Sequence, residues 1–524
     1  MTGRDPNEGT EPTAGPDDAP TSTVAEPTTR SGPNEALSRV ARRRTAQRPV
    51  ARRTAALVAA GAVLVGVGLV STFVPTPQAA PAPASGDGVT VAPDDAHTSS
   101  LFCATGAGYD AGAGSTATVI LTNSTRAPVT GVESSVAESG SESGSGPVIA
   151  RVTVPARGTA AVRPAAGLPT GGTASTFSFA GGGVTGTAVV AGPKGWSTAP
   201  CASQVASQWD FAGGSTAAGL LDLSLYTPTA APAAVDVTFL TTNGTVIDPQ
   251  PYQGIPVGPE GLVIEGLAAY VQNQPVVATL VQATSGALVA TELDQMVVSA
   301  GTGLALLAGT PGPSTSWRFA QTTAVQGGTV TLDVANPGMA PVTAHVSVGL
   351  PGATVVPYNL AVPGRTVVPL AVSSVAGWPL GSPYSLTVHA PTPIVVGRTV
   401  TAPAGGASPE AGITSATTII DSKWLVVGPG VPGQPSIAGG TISTLAVGNP
   451  GSTPVEISVA PLSGGRPVAM VRIAGGNVVI LGPHLVGGLK PWIVTATGPV
   501  TVETDDGPTG APGIAGSSGF PLGT

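Results

Sequence analysis

Apolar and polar residues alternate with a period of two through GGTVTLDVANPGMAPVTAHVSV, residues 327–348. Val330, Leu332 and Val334 alternate with Thr331 and Asp333, and Val342, Ala344, Val346 and Val348 alternate with Thr343, His345 and Ser347. That period predicts two strands, each with one buried face. Between them, Asn336-Pro337 opens a turn, because Asn bonds its own backbone and Pro fixes φ, while Pro341 places its missing donor at a strand start. The same pattern returns with Ile442, Thr444 and Ala446 before VGNPGSTPV (447–455), and Val455, Ile457 and Val459 after the turn. PTPIVVGRTVTA (391–402) and GPVTVETD (498–505) read as closing strands.

The turn belongs to a longer period. Asn336 and Asn449 have weaker relatives in TPTAAP at Thr227 and NSTRAP at Asn123, with starts 104, 109 and 113 residues apart. Phe102, Trp209, Trp317 and Trp424 recur at intervals of 107, 108 and 107. VTVPARGTAAV (152–162), PVGPEGLVIEG (256–266) and LAVPGRTVVPL (360–370) occupy one further matching place, and Pro251-Tyr252 matches Pro357-Tyr358. Self-similarity at such a spacing means tandem copies of one unit. The expected architecture is all-β: four immunoglobulin- or fibronectin-like sandwiches at 100–202, 203–310, 311–416 and 417–507, then a flexible tail at 508–524. The alternative is a β-propeller made of double-blade repeats.

One segment breaks the alternation. TAALVAAGAVLVGVGLVSTFV, residues 54–74, has no charge over 21 residues and ends at Pro75. This is about the length of helix that crosses a hydrocarbon core. Residues 1–53 before it begin as an acidic, Pro/Thr-rich stretch without apolar period, expected to be disordered. They continue into a basic run that includes Arg39, Arg42, Arg43, Arg44, Arg48, Arg52 and Arg53. Arginine on one flank alone predicts a cytoplasmic N-terminus, an exported C-terminal region and contact with anionic lipids of the cytoplasmic membrane. Ala80-Pro81-Ala82 offers the alternative of a cleaved leader, but the preceding 53 residues and the length of the apolar run favour an anchor. Residues 75–99 then read as a Pro/Ala linker.

Composition agrees. The chain has 73 Gly, 53 Pro and 10% charged residues, with 3 Lys among its 21 basic residues, a bias associated with GC-rich actinobacterial genomes. After the apolar segment stand 12 Lys and Arg against 22 Asp and Glu, a net of −10. An acidic exterior repels nucleic acids, so none is expected as a partner.

Cys103 and Cys201, the two cysteines of the chain, fall in the exported part and lack CxxC spacing, so a structural disulfide is expected. A large aromatic at a fixed place in each copy reads as a core plug, with a row of carbohydrate-stacking platforms as the alternative. Tyr226, Tyr252 and Tyr270 cluster in the second copy and are the expected ligand face.

Catalytic chemistry is sparse. His97, His345, His389 and His484 have no ligand spacing, and GxSxG, HExxH, Walker and EF-hand patterns are absent. Gly428-Pro-Gly430-Val-Pro-Gly433 mimics a dinucleotide fingerprint, but its prolines forbid the helix that must open there. Glu292 and Asp294 share one strand face, and Asp505-Asp506 are adjacent; either pair would need further ligands to hold calcium or run acid/base chemistry. No metal or cofactor is expected.

The basic tail, single span, Trp-x-Phe openings such as WDF (209–211), Gly/Thr strands and Asn/Thr-Pro turns resemble actinobacterial envelope proteins of domain-of-unknown-function family five-seven-one-nine, over roughly residues 54–507. The resemblance implies the cell envelope and no assigned activity. The expected function is a non-enzymatic, membrane-anchored stalk or scaffold of the bacterial cell envelope; the alternative is an accessory or ligand-binding subunit of an envelope glycan-building enzyme, with an envelope protein or glycan as partner.

Overall fold

The computed structural model describes residues 89–105, 116–138, 147–164, 172–192, 195–298, 301–322, 329–350, 353–354, 356–376, 378, 384–402, 410–428, 440–488, 490–508 and 515–523. The tail, the apolar span and most of the linker lie outside the described residues, as does the Gly428–Gly433 match beyond its first glycine. Among the described residues no helix is long and apolar enough to cross a membrane. Their regular structure is nearly all strand, with one short α-helix, α1 (Pro483–Val486), and 3₁₀ turns at Gln250–Tyr252, Leu267–Ala269 and Val372–Ser374.

The first repeat shows the plan: β1 (Ser99–Ala104), β2 (Thr116–Asn123), β3 (Val129–Ala137), β4 (Val148–Val154), β5 (Thr159–Val162), β6 (Thr173–Phe179), β7 (Val184–Gly192) and β8 (Gly195–Pro200). One sheet has the order β1-β6-β3-β4, the other β5-β2-β7-β8. The second repeat follows it, with Gln208–Gly214 at the edge of one sheet and Gly301–Ala308 at the edge of the other. In the third and fourth repeats the counterparts of β6 and β7 fuse into Tyr384–Ala402 and Trp492–Pro508. The first half of each long strand pairs in one sheet and the second half in the other.

This order departs from the expected immunoglobulin plan. There the first strand pairs with the second and the seventh with the sixth; here the first pairs with the sixth and the seventh with the second. The chain passes directly from one sheet to the other between these two strands, which brings the first and last strands of a repeat to one common edge. Cys103–Cys201 joins them there in the first repeat, with Cα atoms 4.6 Å apart.

The repeats do not run out in a row, as a stalk requires. Ala104, Val136 and Ala174 of the first meet Tyr226 and Leu262 of the second. Ala212, Leu240 and Ala278 of the second meet Ala335, Val367 and Val395 of the third, and Ala320 meets Ala446 and Val478 of the fourth. Leu425, Val427, Leu462 and Phe520 then pack back on Val91, Ile120, Val189 and Trp196 of the first. Four joints therefore close a ring of eight sheets, and strands such as β2 are buried on both faces. Residues 508–524, expected as a flexible tail, instead supply the strands Ala515–Ser518 and Phe520–Pro521 to this closure. Val91, expected in a linker, is buried in it.

The recurrent turn is a hydrogen-bond keystone. Asn336 Nδ2 donates to the carbonyls of Ala340, Val362 and Pro363 at 2.9, 3.2 and 3.2 Å, and its Oδ1 accepts from Gly338 N at 2.9 Å. Asn123 and Asn449 repeat the donor set. In the second repeat Thr227 takes the place, and its buried hydroxyl has no partner. The third sequence landmark locks against the same turn: Arg157, Glu260 and Arg365 adopt left-handed φ of 45°, 48° and 55°, and each donates its N–H to a turn carbonyl, that of Thr125, Thr229 or Gly338. Asn336→Ala strands these buried carbonyls and is expected to cost about 2–3 kcal/mol. Chemical denaturation of the full chain reads it; an unchanged midpoint removes the keystone role.

The opening tryptophans fill their own repeats. Trp209, Trp317 and Trp424 are buried, and their indole N–H groups donate to the carbonyls of Leu288, Ile394 and Asp421 at 2.7, 2.8 and 2.9 Å. Buried in this way, the three do not form a row of exposed platforms.

Candidate ligand site on the central axis

The last strand of every repeat lines the centre of the ring. β8, Gly301–Ala308, Glu410–Ser415 and Ala515–Ser518 contact one another in cyclic order. Short side chains permit this approach. Leu306 N donates to Ser197 Oγ at 2.9 Å across the first pair. A Cβ on Gly516 would lie 2.9 Å from Thr414 Cγ2 and 3.2 Å from both Arg398 Nη2 and Glu503 Oε1.

A cavity of about 60 Å³ opens between these strands. Its wall is mixed: Leu306, Ile413 and Trp424 are apolar, and Thr198, Thr414 and Ser517 are polar. Among the described residues no charged side chain lines it. Thr198 and Thr414 are each 5% exposed, and neither hydroxyl has a hydrogen-bond partner. Buried hydroxyls without partners are costly, so these two stand out among the polar groups of the wall. Elsewhere on the wall, Thr310 Oγ1 donates to the Asp210 carbonyl at 3.1 Å, and Thr417 Oγ1 accepts from Ile419 N at 3.1 Å.

Charge is kept behind the wall. The Arg398 guanidinium pairs with Glu503 across the joint of the third and fourth repeats, both buried, and stacks 4.8 Å over the Phe319 ring. Burial pushes the Asp210 carboxyl up to about 7, partly offset by Gln208 Nε2, which donates to it at 2.9 Å. Glu292 and Asp294, the pair legible in the sequence, face the closed interior of the second repeat. Burial pushes Glu292 up to about 8; the Thr279 hydroxyl offsets part of this without reaching hydrogen-bond geometry. Asp294 is raised well above its ordinary range by burial first and by the Glu292 charge in addition, although Ser215 N donates to its Oδ2 at 3.0 Å. Such carboxyls are neutral acids at mid pH. Asp505 and Asp506 fall on the strand Trp492–Pro508. Among the described residues no group of three or more His, Cys, Asp or Glu is placed to hold a metal ion.

Of the tyrosines expected as a ligand face, the structure brings Tyr252 and Tyr270 together. Tyr226 lies in the joint of the first and second repeats, its hydroxyl 2.7 Å from Thr176 Oγ1. Tyr252 is buried and donates to the Gly266 carbonyl at 2.8 Å. Tyr270 stacks edge-on against Tyr252 and is 54% exposed, so it alone of the three presents a face to solvent. The axial hydroxyls escaped sequence reading because Thr198 and Thr414 are ordinary strand threonines. The signal that could have found them is their position in the last strand of each repeat period.

The family of unknown function DUF5719 matches residues 170–483, more than half of the chain. The chain belongs to DUF5719. The match runs from the end of the first repeat into the fourth, a narrower span than the 54–507 suggested by the motifs. No curated protein matches. Among solved structures, a Thermotoga maritima protein, 1070, is 15% identical over 20% of this chain and 93% of its own, with a TM-score of 0.18. A tetra-tandem repeat from the extending region of a large adhesion protein is 14% identical over 82% of this DUF5719 chain and 97% of its own, with a TM-score of 0.11. Neither likeness is close enough to bear on the fold.

Proposed function

We propose that this DUF5719 protein is a non-enzymatic, membrane-anchored extracytoplasmic component of the bacterial cell envelope that binds a ligand at the axis of its ring. In this reading residues 54–74 are the anchor, the N-terminus is cytoplasmic, and the basic run rests on membrane lipids. The four repeats are double blades of a β-propeller rather than beads of a stalk, which is supported by the pairing order and by the joint between the first and fourth repeats. Accessory binding for an envelope glycan enzyme therefore accounts for more than a passive scaffold does.

The observation that carries this reading is the axial cavity, walled by all four repeats, with two threonines in its wall whose buried hydroxyls lack partners. Its neutral, part-apolar lining suits an uncharged hydroxylated group, and its volume of about 60 Å³ admits one edge of a sugar unit with the rest outside. Among the described residues neither a carboxylate nor a histidine lines it, which supports binding over hydrolysis.

The test is native mass spectrometry of the full chain extracted from membranes, in wild type, Thr414→Phe and Thr153→Phe. Thr414 faces the cavity, while Thr153 is exposed on β4, at an outer sheet edge. A neutral glycan mass carried by wild type and Thr153→Phe but lost in Thr414→Phe is the expected result. Equal retention in all three moves the site off the axis.

A further inference from the structure

Tertiary pairing brings together two histidines that stand 44 residues apart in the chain. In the sheet that holds Trp317, the register sets Ser316 opposite His389, His389 opposite His345, and His345 opposite Asn359. Directly opposed residues of antiparallel strands project from the same face with Cβ atoms about 4.5–5.5 Å apart. Both imidazoles are exposed on that face.

Their surroundings favour ligation. His345 Nδ1 lies 2.7 Å from Asn359 Oδ1. The amide oxygen can only accept, so in this contact Nδ1 is the donor, and in the neutral ring Nε2 keeps its lone pair. An outer partner that fixes tautomer and ring orientation in this way is the usual support of a metal-bound imidazole. One step along the same face, Arg318, Thr387 and Ser347 form the neighbouring row. All three line a cleft of about 280 Å³ between the third and fourth repeats, and among the described residues no acidic side chain lines it.

We propose that His345 and His389 form a two-histidine site for a divalent transition metal ion of the zinc, copper or nickel class, at the rim of this cleft. Imidazole nitrogen suits these ions, whereas calcium and magnesium require oxygen donors. Two protein ligands fall short of a closed structural zinc site, so the remaining positions stay open to water or to an oxygen donor seated in the cleft. Asn359 is a positioning residue. The site is independent of the axial cavity.

The full chain, purified in detergent without a histidine tag, would be titrated calorimetrically with Zn²⁺, Ni²⁺ and Cu²⁺, and its Cu²⁺ form read by electron paramagnetic resonance. One equivalent is expected per chain, with two nitrogen donors in the copper spectrum. His345→Ala and His389→Ala should each weaken binding at least tenfold, Asn359→Ala by about tenfold, and His97→Ala and His484→Ala not at all. His345 and His389 are both exposed, and unchanged thermal midpoints verify that their variants fold. Absence of binding, or a copper spectrum that survives in the double His345→Ala/His389→Ala variant, overturns the proposal.

Discussion

Removing residues 515–524 is expected to lower the stability of the protein by more than about 6 kcal/mol and to open its ring. Phe520 is 4% exposed and sits in the seam cluster with Ile120, Val189, Trp196 and Leu425. Losing one buried phenylalanine costs about 3–5 kcal/mol by itself. The same segment supplies the last strand of the fourth repeat, in which Ala515–Ser518 pairs with Glu503–Asp506. Gly516 in that strand also closes the axial wall against Thr414. The main-chain pairing and the tie from Gly523 N to Asp421 Oδ2, at 3.1 Å, go with it. Thermal unfolding and small-angle scattering of the full and shortened chains read the effect. A shortened chain with the same midpoint and dimensions would show that the ring is held without its C-terminal strands.

Stability is also expected to fall as pH rises from 5 to 8.5, opposite to the behaviour of proteins held by ionised carboxylates. Burial raises Glu292 from 4.5 to about 8, and raises Asp210 and Asp333 from 3.8 to about 7. A group with a raised folded pKa binds more protons folded than unfolded in the window between the two values. Its stabilisation is complete below the unfolded value and is lost as pH climbs to the folded one. For Glu292 alone the loss between 4.5 and about 8 is on the order of 5 kcal/mol. Asp294 acts in the same direction. Urea titrations at pH 5 and 8.5 measure the slope, and Glu292→Gln should flatten it by raising stability at pH 8.5. If that substitution leaves the pH dependence unchanged, Glu292 is not the group that titrates.

Both effects depend on burial that no local pattern announces. TATVILTN in β2 reads as a strand because its residues are β-branched and apolar, yet Val119, Ile120 and Leu121 are all buried. A continuous apolar run of that kind indicates cover on both faces without saying what supplies it. Val119 and Leu121 face their own repeat, whereas Ile120 meets Leu425 and Phe520 from the far end of the chain. Glu292 and Asp294 likewise appear in the sequence as a polar strand face, and their face turns out to be interior because Phe211 and Val277 of the opposite sheet cover the same core.

What the amino-acid sequence determined by itself is local and periodic. The two-residue alternation, the Asn-Pro turns, the aromatic spacing and the single cysteine pair each depend on backbone geometry within a few residues or on repetition of a unit, so they survive without knowledge of the partner surface. The tertiary structure alone decided which edge each strand occupies, that the fourth repeat returns to the first, and that His345 meets His389. These are contacts between segments distant in the chain, chosen by the packing of whole sheet faces and by register, in which a slip of one residue would send every side chain to the opposite face.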